Sequence, residues 1–127
     1  MSLREDAQRA YADYCAHQER ARAQLLAARV EEVRDYLKSR LDRLDINATS
    51  IATLVKPDGA ISAYAEVEGI NFRSSGGNFV HAELRCPSGD RCAITHGICI
   101  DHNTRRDDFL RELGAMLSGP CFTRERA

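Results

Sequence analysis

The sequence predicts an α+β domain with a long N-terminal helix, a four-stranded antiparallel β-meander and a C-terminal helix. Residues 3–44 contain neither Gly nor Pro, and their apolar side chains recur at helical spacing. Residues 47–101 alternate apolar and polar side chains between breaks rich in Gly and Ser, as antiparallel strands do. Helical spacing returns at 104–118 and ends before Gly119 and Pro120. The 127 residues therefore predict one domain, 1–127, with a loose tail at 119–127.

The first helix is too long for the sheet that the same sequence predicts. A helix over residues 3–44 extends for about 63 Å, whereas a nine-residue strand covers about 30 Å. A helix without packing is only marginally stable in water. We therefore expect the N-terminal half to pack on a second copy, which makes the protein a homo-oligomer. The alternatives are a helical hairpin near His17 and Gln18, which no Gly or Pro favours, and a monomer whose N-terminal helix is frayed or bent.

Turn residues set the register of the first strands. Residues 56–60, KPDGA, are typical of a three-residue hairpin loop and place Val55 opposite Ile61. In the next strand the alternation slips by one residue at Gly69, which predicts a β-bulge inside one continuous strand. The inward side chains include Ala63 and Ala65, whose small size lets a helix approach the sheet closely.

The last two strands predict a hairpin with cysteines on its inner face. The inward positions of both strands match if Cys86 lies opposite Cys92, a register that places His96 opposite Ala82. Facing cysteines come close enough to bond, so Cys86–Cys92 is a candidate disulfide. The N-terminal residues have no apolar export segment, and a reducing compartment favours reduced, half-buried thiols instead.

The same segment has a set of residue types that zinc prefers: Cys86, Cys92, His96 and Cys99. Their spacing differs from the closely spaced cysteine pairs of structural zinc sites. On an extended strand Cys92 and His96 are about 13 Å apart, and alternation turns Cys99 outward. The sequence therefore predicts no metal and no cofactor. A zinc site at Cys86, Cys92 and His96 requires that this segment is not a strand, and Cys121 has no partner that the sequence identifies.

A candidate anion site lies at one end of the sheet, where the loop before the third strand meets the loop after the fourth. Hydroxyls, guanidinium groups, a glycine turn and a helix N-terminus converge there, and all of them favour an anion. The residues are Arg73, Ser74, Ser75, Gly76, Gly77, His102, Thr104, Arg105 and Arg106. A phosphate-bearing small molecule or an acidic group of a protein partner would fit. A flexible loop beside an ordinarily capped helix is the simpler interpretation, and Asp101, Asp107 and Asp108 dilute the positive charge.

Three charged side chains on the polar face of the sheet form another candidate set. His81 and Glu83 share that face, and the single long strand would place Glu68 across from Glu83. Two carboxylates beside a histidine suit a metal-dependent enzyme. Solvated strand faces carry such charges routinely, so we expect no catalytic residues here.

Bulk composition narrows the function classes. The formal net charge of −1 gives no overall attraction to nucleic acid or to an anionic membrane, and we expect neither as a partner. No segment is apolar enough for export or for spanning a bilayer, which favours a cytoplasmic protein. The leading hypothesis is a small oligomeric binding protein that captures an anionic ligand or an acidic partner group. An interaction module without a small ligand, such as a chaperone or inhibitor, and a metal-dependent or zinc-binding protein are the alternatives.

Overall fold

The computed structural model describes residues 2–75, 79–87 and 96–123, and it confirms the α+β class. One long helix precedes an antiparallel sheet whose strands lie side by side in chain order, and two shorter helices follow. The elements are α1 Leu3–Arg43, β1 Ala52–Val55, β2 Ile61–Val67, β3 Ile70–Ser74, β4 Phe79–Leu84, β5 His96–Asp101, α2 Arg106–Leu117 and α3 Pro120–Thr123.

The sheet has five strands rather than four, because the predicted bulge at Gly69 is a hairpin turn. Val67 pairs with Ile70, and the two residues between them, Glu68 and Gly69, have φ values of 53° and 81°. Two successive residues with positive φ are typical of a type I′ turn. A bulge and a two-residue turn both shift the alternation by one residue, so the hydrophobic pattern alone does not distinguish them. The first hairpin has the predicted register, with Val55 opposite Ile61.

The register of the last hairpin differs from the prediction by two residues. Ala82 pairs with Ile98 and Leu84 pairs with His96, whereas the sequence placed Ala82 opposite His96. A shift of two residues keeps every side chain on its own face, so the pattern of inward residues fits both registers. The candidate disulfide involves Cys92, which lies outside the described residues.

The core lies between the C-terminal half of α1 and one face of the sheet. Val33, Leu37, Leu41 and Leu44 are buried from the helix side. The facing sheet positions are small, with Ala63 and Ala82 fully buried, and this allows the helix to approach closely. On the same face of the sheet, the rings of Phe72 from β3 and Phe109 from α2 lie 6.1 Å apart.

Arg106, the first residue of α2, connects the start of α2 to the C-terminus of α1. Its guanidinium donates to the backbone oxygens of Leu44 and Asp45, which follow the last turn of α1. Helix C-termini leave such carbonyls without intrahelical partners, so this contact caps α1. Arg105 is the N-cap and α2 spans Arg106–Leu117, within the predicted range 104–118, and the short helix α3 lies within the segment 119–127 that was expected to be a loose tail.

Among the described residues, no other element covers the N-terminal half of α1. None of residues 3–29 is buried, and only Cys15 and Ala16 are half-buried. The apolar side chains of the two halves also point in different directions. Leu25 and Val30 are five residues apart, a rotation of roughly 140° around a helix. No helix within the described ranges is long and apolar enough to span a membrane.

Leu37→Ala is expected to lower the free energy of unfolding by about 2–5 kcal/mol, because Leu37 is fully buried and its truncation leaves a cavity. The neighbouring exposed residue provides the matched control, since Lys38→Ala should change stability by less than about 0.5 kcal/mol. Urea denaturation at one fixed protein concentration measures both. Equal losses for the two variants would contradict this packing of α1.

Candidate functional site

The structure separates the residues of the predicted anion edge. Phe79 pairs with Asp101, so the ends of β3 and β5 meet at one end of the sheet, as the topology predicted. Ser74 is only 1% exposed, and its hydroxyl has no hydrogen-bond partner among the described residues. Ser75 is exposed beside it, and Gly76 and Gly77 lie outside the described residues.

His102, Thr104, Arg105 and Arg106 do come together, and with Arg43 they line a cavity of about 260 Å³. Two of these side chains already have structural partners. Arg106 caps α1, and the Thr104 hydroxyl lies 3.0 Å from a carboxylate oxygen of Asp101. The backbone N–H of Asn103 donates to that carboxylate, and together with the Thr104 hydroxyl it holds the pKa of Asp101 below its ordinary value. The carboxylate adds negative charge beside the predicted anion site.

Arg73 lies on the face of the sheet opposite to α1, which we call the open face. It does not line the cavity that contains His102. It sits in a row across three strands, with Tyr64 of β2 on one side and His81 of β4 on the other. These three side chains line a cavity of about 450 Å³. Tyr64 and His81 are half-buried there and Arg73 is exposed. A hydroxyl, a guanidinium and an imidazole therefore project side by side into one concave surface.

A second row of polar side chains borders the first. Glu66, Asn71 and Glu83 are register partners on the same three strands and line the same cavity. Positions two residues apart along a strand are about 7 Å apart, so the carboxylates lie one row away from the Arg73 side chain. The sequence predicted that Glu68 lies opposite Glu83. Glu68 is instead in the β2–β3 turn, and Asn71 lies opposite Glu83. The predicted pair of facing carboxylates is therefore wrong.

Gly97 of β5 leaves room for the His81 ring. A Cβ placed on Gly97 would lie 2.8 Å from Cε1 of His81 and 2.9 Å from its Nε2, closer than such atoms approach in proteins. The imidazole therefore packs on the β5 backbone at a position where only glycine fits without a shift of the ring. The absence of a side chain at Gly97 helps to define where His81 projects.

A cysteine and histidine cluster lies where β4 ends and β5 begins. The ligand atoms of Cys86, His96 and Cys121 all lie within 4.8 Å of one another. Cys99, on β5, is exposed, as its parity predicted. The sequence prediction missed Cys121, because this residue is far from Cys86 and His96 in the sequence. The signal that the chain turns after α2 is the pair Gly119–Pro120.

No family model, curated protein or solved structure matches this chain. Three places in the structure bring together groups that could bind a ligand: the small cavity at His102, the open face with Arg73, and the cluster at Cys86.

Proposed function

We propose that the protein is a small binding protein that holds a ligand with an anionic group on the open face of its sheet. The observation that supports this most directly is the row Tyr64–Arg73–His81 inside a cavity of about 450 Å³. A guanidinium next to an imidazole and a phenol offers several N–H and O–H donors within one ligand's reach. A small number of polar groups that converge on one concave surface is typical of a ligand site.

The neighbouring carboxylates restrict the ligand further. Glu66 and Glu83 would repel a ligand that carries only negative charge, and they would attract an ammonium group. The ligand class that fits both rows has an anionic end over Arg73 and a cationic or hydrogen-bond-donating end over the carboxylates. Its two ends would be separated by roughly the 7 Å between rows, or somewhat less because the side chains are flexible.

The sequence-based edge site stays a prediction. It offers His102, Thr104 and Arg105, but Arg106 is engaged in capping α1 and Asp101 contributes a carboxylate. A cytoplasmic location and the role of an interaction module without a small ligand also stay predictions. Binding that maps to residues 102–106 would favour the edge over the open face.

An amide-resonance NMR titration with phosphoethanolamine tests the open face. We expect saturable shifts on β2, β3 and β4, and Arg73→Ala should weaken binding at least about tenfold because it removes the forked cationic donor. Gly97→Ala should also weaken binding, since the added Cβ displaces His81. Ethanolamine alone should produce weaker shifts, because it lacks the anionic end.

Two matched variants control this experiment. Arg111→Ala removes an exposed guanidinium from α2, and Gly114→Ala adds a Cβ that would meet no atom from outside its own helical turn within 4 Å. Both should bind like the parent protein. Shifts that are unaffected by Arg73→Ala, or that appear only outside β2–β4, would refute the proposed site.

We further propose that a second copy of the chain covers the N-terminal half of α1. The segment 3–29 is about 40 Å long and exposes Leu3, Tyr11, Tyr14 and Leu25, of which Tyr11 is 69% exposed. Amphipathic helices derive most of their stability from packing. A helix that extends so far beyond the other described elements therefore favours association over a monomer.

The spacing of the exposed stripe favours another copy as the partner. Its members alternate by three and four residues and are Ala7, Tyr11, Tyr14, Gln18, Ala21 and Leu25. An antiparallel copy centred at the level of Ala16 sets Ala7 against Leu25. It also sets Tyr11 against Ala21, so these two pairs each join a large side chain to a small one, while Tyr14 lies against the polar side chain of Gln18. Such self-complementarity is what a two-fold symmetric interface requires.

Tyr11→Glu should convert the dimer to a monomer, because it places two carboxylates inside the symmetric interface. Ala12→Glu is the matched control, since Ala12 lies outside the stripe and is exposed. Size-exclusion chromatography with light scattering should give twice the chain mass of 14.2 kDa for the parent protein and for Ala12→Glu. Tyr11→Glu should give the mass of one chain. A parent protein that is monomeric at high micromolar concentration would exclude the interface.

A further inference from the structure

We propose that Cys86, His96 and Cys121 bind one zinc ion, which fastens the C-terminal helix α3 to the end of the sheet where β4 and β5 meet. The site is independent of the open-face cavity and of the α1 interface. It uses two thiols and an imidazole, the ligand types that zinc prefers in protein sites.

The three side chains come from three different parts of the fold. Cys86 is buried and lies two residues after the end of β4. His96 is the first residue of β5, where it pairs with Leu84. Cys121 belongs to α3, which is separated from β5 by the whole of α2. Residues so distant along the chain converge on one point only because the fold brings them there.

The distances are close to those that a zinc ion needs. All three ligand atoms lie within 4.8 Å of one another. Zinc bonds of 2.3 Å to sulfur and about 2.0 Å to nitrogen place tetrahedral ligands roughly 3.5–3.8 Å apart. Side-chain rotations that draw the atoms together by about 1 Å therefore suffice. Cys86 is buried, while His96 and Cys121 are half-buried, which gives a partly desolvated site.

The local structure of α3 fits this role. Gly119 and Pro120 end α2 and begin α3, which has only four residues. A helix of one turn has little stability of its own. The ring of Phe122 packs edge-on against His96 with centroids 4.8 Å apart, so the segment around Cys121 contacts the sheet beside the proposed ion. The ion would join this segment to β4 and β5 by direct bonds.

Zinc binding releases the protons of the thiol ligands. A zinc ion replaces the thiol protons of Cys86 and Cys121, which pass to solvent, and it takes the lone pair of a neutral His96 nitrogen. Three protein ligands leave one coordination position for water or for another protein atom. Cys92, which the sequence-based zinc hypothesis includes, lies outside the described residues.

Cobalt substitution tests the site with a spectroscopic signal that reports its ligands. The reduced full-length protein, first stripped of metal, is titrated with Co²⁺ and then with Zn²⁺. We expect one cobalt ion per chain, visible bands of tetrahedral cobalt, a sulfur-to-cobalt charge-transfer band, and displacement by one equivalent of zinc. Cys121→Ser should weaken cobalt binding at least about tenfold and reduce the charge-transfer band, because one thiolate is lost.

Cysteines outside the cluster provide the controls. Cys99→Ser, on the same strand as His96, and Cys15→Ser, on α1, should keep the stoichiometry and the spectrum of the parent protein. Circular dichroism of Cys121→Ser should match that of the metal-free parent, which separates loss of a ligand from loss of the fold. Unchanged cobalt affinity and spectrum in Cys121→Ser would overturn the proposal. So would a fully reduced parent protein that binds no cobalt.

A second readout tests the structural role of the ion. Limited proteolysis within residues 118–123 should be slower in the zinc-loaded parent than in the metal-free parent. In Cys121→Ser, added zinc should give no such protection, while Cys99→Ser should behave like the parent. Equal cleavage of the parent with and without zinc would show that the ion does not hold α3.

Discussion

The fit between the C-terminal half of α1 and a sheet face lined by alanines is the constraint on which the rest of the structure depends. Leu37 and Leu41 are almost completely buried against a sheet whose central inward positions are Ala63 and Ala82. Small side chains there let the helix lie close, and larger ones would separate the layers. The same contact commits one face of the sheet to the core. Every ligand-accessible polar side chain on the central strands must therefore project from the other face.

That division explains where each surface of the molecule is available. The open face carries Arg73 and His81 because alternation along β3 and β4 sends them away from α1. The rotation between Leu25 and Val30 turns the apolar stripe of the N-terminal half away from the direction of the sheet. That half is thus left with an exposed stripe of its own. The cluster at Cys86 lies at the rim, where α3 returns to the ends of β4 and β5.

Alternation and turn chemistry were enough to predict the class, the long helix, the first hairpin and most inward residues. They failed where two structures share one pattern. A bulge and a tight turn at Gly69 shift parity alike, and a two-residue slip at Ala82 keeps every face. The candidate site was harder still, because proximity between Cys86 and Cys121 depends on the path of the chain through α2. No local spacing encodes that path, and the spacing that disfavours zinc involves only Cys86, Cys92, His96 and Cys99.

The central claim is that α1 has two halves, one held by its own sheet and the other by a second chain. Hydrogen exchange measured at protein concentrations above and below the dissociation constant of the dimer tests this claim most directly. Amides of residues 33–44 should exchange slowly at both concentrations, because their protection comes from the core. Amides of residues 7–25 should be protected only above it. The claim would be contradicted if residues 7–25 exchanged rapidly at every concentration, or if they were equally protected in the monomer.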